Sequence, residues 1–269
     1  MKLIEYSILW EVANIRGLDG KVAVVTGGAS GIGYTIVERL LESNVKVAIG
    51  DLNEERLKEI ENNYTDQVVG VVTNVTSEED IKKLVTTAVE KFGKLDYGFN
   101  VAGMSKSGLI MDQSFEDWKA TVDVVLHGVF LSVKHEAQAM KEHGGAIVNI
   151  ASLNSHVPMF FGGAYASAKA GVEMLTKNAA LELAQYGIRV NTILPGLIRT
   201  PLTADFFKNE DLEQAFMERI PEQRPAEPAE VAAPSVFLVS DDASYINGTS
   251  LVVDGGWEIT GYPDLSKFM

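Results

Sequence analysis

No cysteine occurs among the 269 residues, which excludes disulfides, thiolate metal sites and cysteine nucleophiles together. That absence fits a reducing, cytoplasmic setting. Basic residues are few beside acidic ones, 23 against 37, and the formal charge of −14 repels phosphate backbones and anionic headgroups. Nucleic acid and membrane surfaces are therefore not expected partners. Histidine is scarce: His127, His135, His143 and His156 show no metal-ligand spacing with carboxylates, and no metal is expected. Residues 1–17 carry Glu5 and Glu11 inside their apolar stretch and lack a small-residue cleavage site. They read as neither signal peptide nor membrane anchor, but as an extension packing on the domain or a neighbouring subunit. Internal repeats, low-complexity tracts and linkers are also missing.

What is present is strand–helix alternation. Val22–Val25, Val45–Gly50, Val68–Val72, Leu95–Phe99, Ala146–Ile150, Arg189–Leu194 and Ser250–Val253 are short β-branched runs, as strands buried on both faces would be. Between the first two, Ile36, Val37, Leu40 and Leu41 make one apolar helix face. Thr76 opens a further helix with acids in its first turn, and 115–141 and 164–185 are long helical patterns. This alternation predicts an α/β fold, a doubly wound parallel sheet of Rossmann type with right-handed crossovers. A chain of this length buries roughly three quarters of its unfolded surface. The rhythm breaks only at 197–230, where Pro221, Pro225 and Pro228 follow Pro201. A long segment after a strand's C-terminal end is where an active-site lid sits. One domain, 18–257, with a lid at about 197–225 and a tail at 258–269, is the economical division.

The first strand runs into Thr26-Gly-Gly-Ala-Ser-Gly-Ile-Gly33 and then a helix. Glycine lets backbone approach a pyrophosphate, whose charge meets the free N–H groups at the helix start. Gly27, Ser30, Gly31, Ile32 and Gly33 are the expected contacts. Asp51, 18 residues after Gly33, ends the second strand, as the dinucleotide fingerprint requires. A carboxylate there accepts from both ribose hydroxyls and repels a 2′-phosphate. No Arg or Lys lies in the glycine loop or within Asp51–Glu55, and the first after them is Arg56, so the expected cofactor is NAD rather than NADP.

Thr26–Gly33, Asn100-Val-Ala-Gly103, Tyr165-Ala-Ser-Ala-Lys169, Pro195-Gly196 and Asp254-Gly-Gly256 together resemble the short-chain dehydrogenase/reductases of the single-domain, NAD-using type. The resemblance covers about residues 18–257. It implies a seven-stranded parallel sheet and a homotetramer built on the two long helices. It also implies Asn74 and Val75 at the adenine, where Asn74 replaces the usual Asp but keeps a carbonyl to accept from the adenine amine. Asn100, Ala102 and Gly103 are to line the cofactor, and Pro195, Gly196, Ile198 and Thr200 the nicotinamide end.

The same resemblance makes Tyr165 the acid/base, Lys169 the ribose ligand that lowers the tyrosine pKa, and Ser152 the group that holds the substrate oxygen. An unperturbed phenol near 10 is too weak an acid for neutral pH, so an ammonium and a nicotinamide charge are needed to favour phenolate. Tyr165 and Lys169, four apart, share a helix face. The expected reaction interconverts a secondary alcohol and a ketone by hydride transfer. One departure stands out. Alignment on Trp118 and Gly128-Val-Phe130 places Val125 where the family carries an asparagine that holds a water linking the lysine to solvent. Valine cannot hydrogen-bond, and His127, two residues on, points elsewhere on a helix. Impaired catalysis in a dinucleotide-binding protein is therefore the alternative. An epimerase or dehydratase fits less well, because such proteins usually add a larger sugar-nucleotide domain than the chain after Gly196 supplies. Met104, Met159, Phe160, Phe161, Phe206, Phe207 and Met217 are expected to border the substrate pocket, suggesting an apolar or ring-bearing substrate.

Overall fold

The computed structural model describes residues 15–263 and 265–268. The expectation for the N-terminal extension falls largely on residues outside these.

Seven parallel strands form one sheet in the order β3-β2-β1-β4-β5-β6-β7. They are β1 (Val22–Thr26), β2 (Lys46–Asp51), β3 (Val68–Val72), β4 (Tyr97–Asn100), β5 (Gly145–Ile150), β6 (Ile188–Pro195) and β7 (Ser250–Val253). Side chains alternate across the pleat. Ala23, Val25, Val47 and Ile49 join one core, whereas Val22, Val24 and Ala48 join the other. The first core is covered by α1 (Gly31–Glu42), α2 (Glu54–Asn63) and α8 (Pro228–Val239), through Ile36, Leu57 and Val231 among others. The second is covered by α3 (Glu78–Phe92), α5 (Gly128–Met140) and α6 (Gly163–Leu183), through Leu84, Val129 and Val172. Helices on both faces explain why the strands read as continuous apolar runs. No helix among the described residues is long and apolar enough to cross a membrane.

All seven strands expected from the sequence are present, with small shifts at their ends. The fourth begins at Tyr97 rather than Leu95, because Asp96 turns its carboxylate onto the Val22 N–H at 2.9 Å. The third helix is capped by Ser77, not Thr76: Ser77 accepts from the Asp80 amide. The helical pattern 115–141 is interrupted. α4 (Phe115–Val122) passes into a wide π-turn, Asp123–His127, before α5 resumes. The segment 197–230 holds a 3₁₀ run, Pro201–Lys208, and the short α7 (Glu210–Met217).

The strand order reverses between β1 and β4, and at such a switch point the carboxyl ends of the strands open a crevice for a ligand.

Candidate active site

A cleft of about 400 Å³ lies at that switch point. Its first wall is the turn after β1. Gly33 is obligatory there, since a Cβ would stand 2.1 Å from the Gly27 carbonyl oxygen. Gly27 itself adopts φ +65°, where a Cβ would meet Ala102 Cα at 2.8 Å. Thr26 Oγ1 accepts from the Val101 N–H at 3.2 Å, so the loops after β1 and β4 are tied together. Ser30 precedes α1 without a side-chain capping bond, which leaves the first amides of the helix to a ligand in the cleft. Asp51 is fixed at the end of β2: Oδ2 accepts from the Ala29 N–H at 3.1 Å and Oδ1 from the Asn53 N–H at 3.0 Å. Each oxygen keeps a lone pair, so the carboxylate fits ribose hydroxyls. Arg56, the first basic residue after Asp51, is held by Glu59 at 2.6 Å and lies over the Tyr34 ring at 4.7 Å.

Of the residues expected to touch the cofactor, Gly27, Ser30, Gly31, Ile32, Gly33, Asp51, Asn74, Val75, Ala102 and Gly103 line the cleft. So do Tyr165, Lys169, Pro195, Gly196, Ile198 and Thr200. Asn100 does not. Its side chain turns away beneath the loop and donates to Glu136 at 3.0 Å and to Asn149 at 2.9 Å. It therefore ties β4 to β5 and α5. Asn74 lines the cleft, but its carbonyl oxygen already accepts from the amide and hydroxyl of Thr76, at 3.1 and 2.9 Å.

The second wall carries Ser152, Tyr165 and Lys169. Ser152 is buried at the end of β5, where its hydroxyl accepts from the Asn154 N–H at 3.1 Å and caps a 3₁₀ turn, Leu153–Ser155. Tyr165 and Lys169 lie one turn apart on α6, with Lys169 Nζ 5.6 Å from the centre of the Tyr165 ring. Lys169 is buried and donates to the Ile150 carbonyl at 2.6 Å. Burial pulls its pKa down to about 7. Burial likewise pushes the Tyr165 phenol up, and the hydrogen bond with Ser152 pulls it partly back. The protein's own groups thus favour neutral phenol and weaken the ammonium. The positive charge of an oxidised nicotinamide would act in the opposite sense, toward phenolate.

Val125 sits within the π-turn and is fully buried in the second core with Ala168. His127 is no substitute: it points outward and pairs with Asp123 at 2.9 Å. We expect Val125→Asn to shift the pH dependence of kcat, because an amide would appear beside the buried lysine's helix. It should also cost about 1–3 kcal/mol of stability if its polar atoms go unpaired. An unchanged pH profile in a folded variant would show that the proton route does not pass this position.

The apolar residues expected around the pocket divide. Met104 lines the cleft. Phe206, Phe207 and Met217 instead pack on a third core of Leu153, Val157, Leu197, Phe216, Ile220, Trp257 and Leu265. Phe160 is half-exposed with its ring 6.2 Å from that of Phe161. Sequence reasoning missed Phe216, Trp257 and Tyr262, whose rings meet at 4.8–5.7 Å. Burial raises the Tyr262 phenol, and the nearby Tyr165 raises it further. Two of the three fall at or beyond the Asp254-Gly-Gly256 boundary, and no periodic pattern marked them.

A doubly wound sheet, a glycine turn at the helix start and a Tyr–Lys pair beside it define a dinucleotide-dependent oxidoreductase. Residues 27–258 match the family model described as enoyl-(acyl carrier protein) reductase. The chain is 38% identical over 247 residues to 2,5-dichloro-2,5-cyclohexadiene-1,4-diol dehydrogenase of Sphingobium indicum, covering 90% of this chain and 98% of that protein. It is 40% identical over 240 residues to 3-alpha-(or 20-beta)-hydroxysteroid dehydrogenase of Mycobacterium tuberculosis, covering 89% and 90%. A short-chain type dehydrogenase/reductase from Mycobacterium ulcerans superposes with a TM-score of 0.90 at 31% identity, over 93% of this chain and 94% of that one. The chain belongs to the short-chain dehydrogenase/reductase family, whose nicotinamide dinucleotide chemistry acts here on CH–OH groups.

Proposed function

We propose that the protein is an NAD(H)-dependent dehydrogenase/reductase for a secondary alcohol or ketone carried on an apolar ring. The observation that carries this reading is the convergence of Ser152, Tyr165 and Lys169 on the same cleft as the glycine turn and Asp51. The nicotinamide supplies the hydride acceptor or donor. In oxidation Ser152 donates to the substrate oxygen and holds it at Tyr165, whose oxygen takes the hydroxyl proton as the hydride leaves the carbinol carbon; reduction reverses both transfers. Lys169 holds the ribose, and Asp51 its adenosine-side counterpart. The ring-bearing substrate is supported by Met104 in the cleft, and by the ring alcohols named for the Sphingobium and Mycobacterium relatives.

Assay of NAD with cyclohexanol and hydroxysteroids, and of NADH with the matching ketones, tests the proposal. Turnover on one of them is expected; tight dinucleotide binding without turnover on any would overturn it and favour a binding protein impaired at Val125. Phe130, Met174 and Leu181 are exposed along α5 and α6 and support a homotetramer built on these helices. Sedimentation at the monomer mass would refute that assembly. A cytoplasmic location is the reading that a chain without cysteine supports.

A further inference from the structure

We propose that His156 is a positioning residue: held as an imidazolium between Glu173 and Glu258, it fastens the loop that carries Ser152 to the C-terminal turn and so sets the substrate side of the active site. The inference rests on the role given to Ser152 above.

The geometry is specific. His156 follows the 3₁₀ turn Leu153–Ser155, with its own N–H on the Leu153 carbonyl at 2.9 Å. Its Nε2 lies 2.8 Å from Glu173 Oε2, and its Nδ1 meets Glu258 Oε1. A neutral imidazole has one N–H and would turn a bare lone pair toward one carboxylate. Only the protonated ring satisfies both. Glu173 lies on α6 one turn beyond Lys169 and two beyond Tyr165, so it is anchored to the helix that carries the chemistry. Its other oxygen accepts from Lys177 at 2.6 Å and from the Ser250 hydroxyl on β7 at 2.9 Å.

Glu258 belongs to the turn Trp257–Ile259, whose backbone is held by Asp254: the Glu258 N–H donates to Asp254 Oδ2 at 2.6 Å. Trp257 packs with Leu153 and Leu197 in the third core, and Tyr262 beyond it is near enough to Tyr165 for the two phenols to interact electrostatically. One imidazolium therefore joins the end of β5, the catalytic helix and the C-terminal turn.

The clamp is sensitive to pH in a known direction. Burial lowers the His156 pKa, but the hydrogen bonds and charges of Glu258 and Glu173 outweigh it, and the net shift is upward. A raised value in the folded state means the clamp is whole below the ordinary histidine range and is lost as pH rises through the folded value. Loss leaves Glu173 and Glu258 facing each other across a neutral ring, with Lys177 compensating only Glu173. The imidazole is about a third exposed, so screening keeps the effect modest, about fivefold in an equilibrium.

The test compares the full-length protein with Glu258→Ala, whose side chain is a little over a third exposed and can be lost without unfolding. Hydrogen exchange on the NAD-bound protein, corrected for intrinsic rates, should show segments 152–157 and 257–262 loosening together in the variant at pH 6. In the wild type the same joint loosening should appear between pH 6 and 9. With cyclohexanol as probe, KM should rise about fivefold and lose its pH dependence in the variant, while kcat and the Kd for NAD hold. Loosening of 257–262 alone, or identical pH profiles in both proteins, overturns the proposal. Ser152→Ala separates the underlying reading: if it leaves kcat and KM intact, Ser152 has no role, whatever His156 does to exchange.

Discussion

Tyr165→Phe should lower kcat by about three orders of magnitude while leaving NAD binding intact, within the range that general acid–base catalysis contributes. The change removes one oxygen and keeps the ring that packs on the second core. Ser152 retains its bond to the Asn154 amide, so the loop does not depend on the phenol. Lys169 keeps the Ile150 carbonyl as partner, so the ribose end of the cleft is undisturbed. The loss therefore reports proton transfer alone. Stopped-flow hydride transfer and a thermal shift with NAD would separate the two quantities. Tyr262 is a phenol on which Tyr165 has an electrostatic influence, and it is the natural competitor for the role. Activity within a few fold of wild type in Tyr165→Phe, together with a large loss in Tyr262→Phe, would move the acid/base to the tail. The arrangement argues otherwise, because Tyr165 has both the hydroxyl of Ser152 and the cleft beside it, whereas Tyr262 is enclosed by Trp257 and Phe216.

The sheet was legible because each strand is a β-branched run covered on both faces, and the site because its spacing is set by turns rather than by distant contacts. Gly27 and Gly33 stand where close approach leaves no room for a Cβ, Gly31 takes a φ of +51° that favours glycine, and Tyr165 and Lys169 share a face that helix geometry alone supplies. The π-turn at Asp123–His127 left no mark, since one extra residue per turn alters no composition. The core contacts of Asn100 were hidden for a different reason. Its neighbours Ala102 and Gly103 face the cleft, but the buried carboxyl of Glu136, which burial raises to about 7, offers the Asn100 amide a partner inside the core. The His156 clamp was out of reach in principle: Glu258 is 102 residues from His156, and only the closed fold brings them together.

Asp51→Ala should reverse cofactor choice, shifting the ratio of kcat/KM for NAD over NADP by about 10²–10³ with little change in kcat. Two effects add. Losing charge-assisted bonds to the ribose hydroxyls weakens NAD by about 1.5–3 kcal/mol per bond, or about tenfold to a hundredfold. Removing the carboxylate also lifts its repulsion of a 2′-phosphate and frees the two amides that now serve it, those of Ala29 and Asn53. Backbone N–H groups that hold a carboxylate hold a phosphate as readily, since both present anionic oxygens to the same donors. Arg56 gives limited further help, because Glu59 and Tyr34 already occupy its guanidinium. Adding Glu59→Gln should release it and raise NADP use again. Steady-state kinetics with both cofactors decide the matter. A ratio that moves less than tenfold in Asp51→Ala would mean that the carboxylate serves the turn and its amides, and that discrimination between the two dinucleotides is made elsewhere in the cleft.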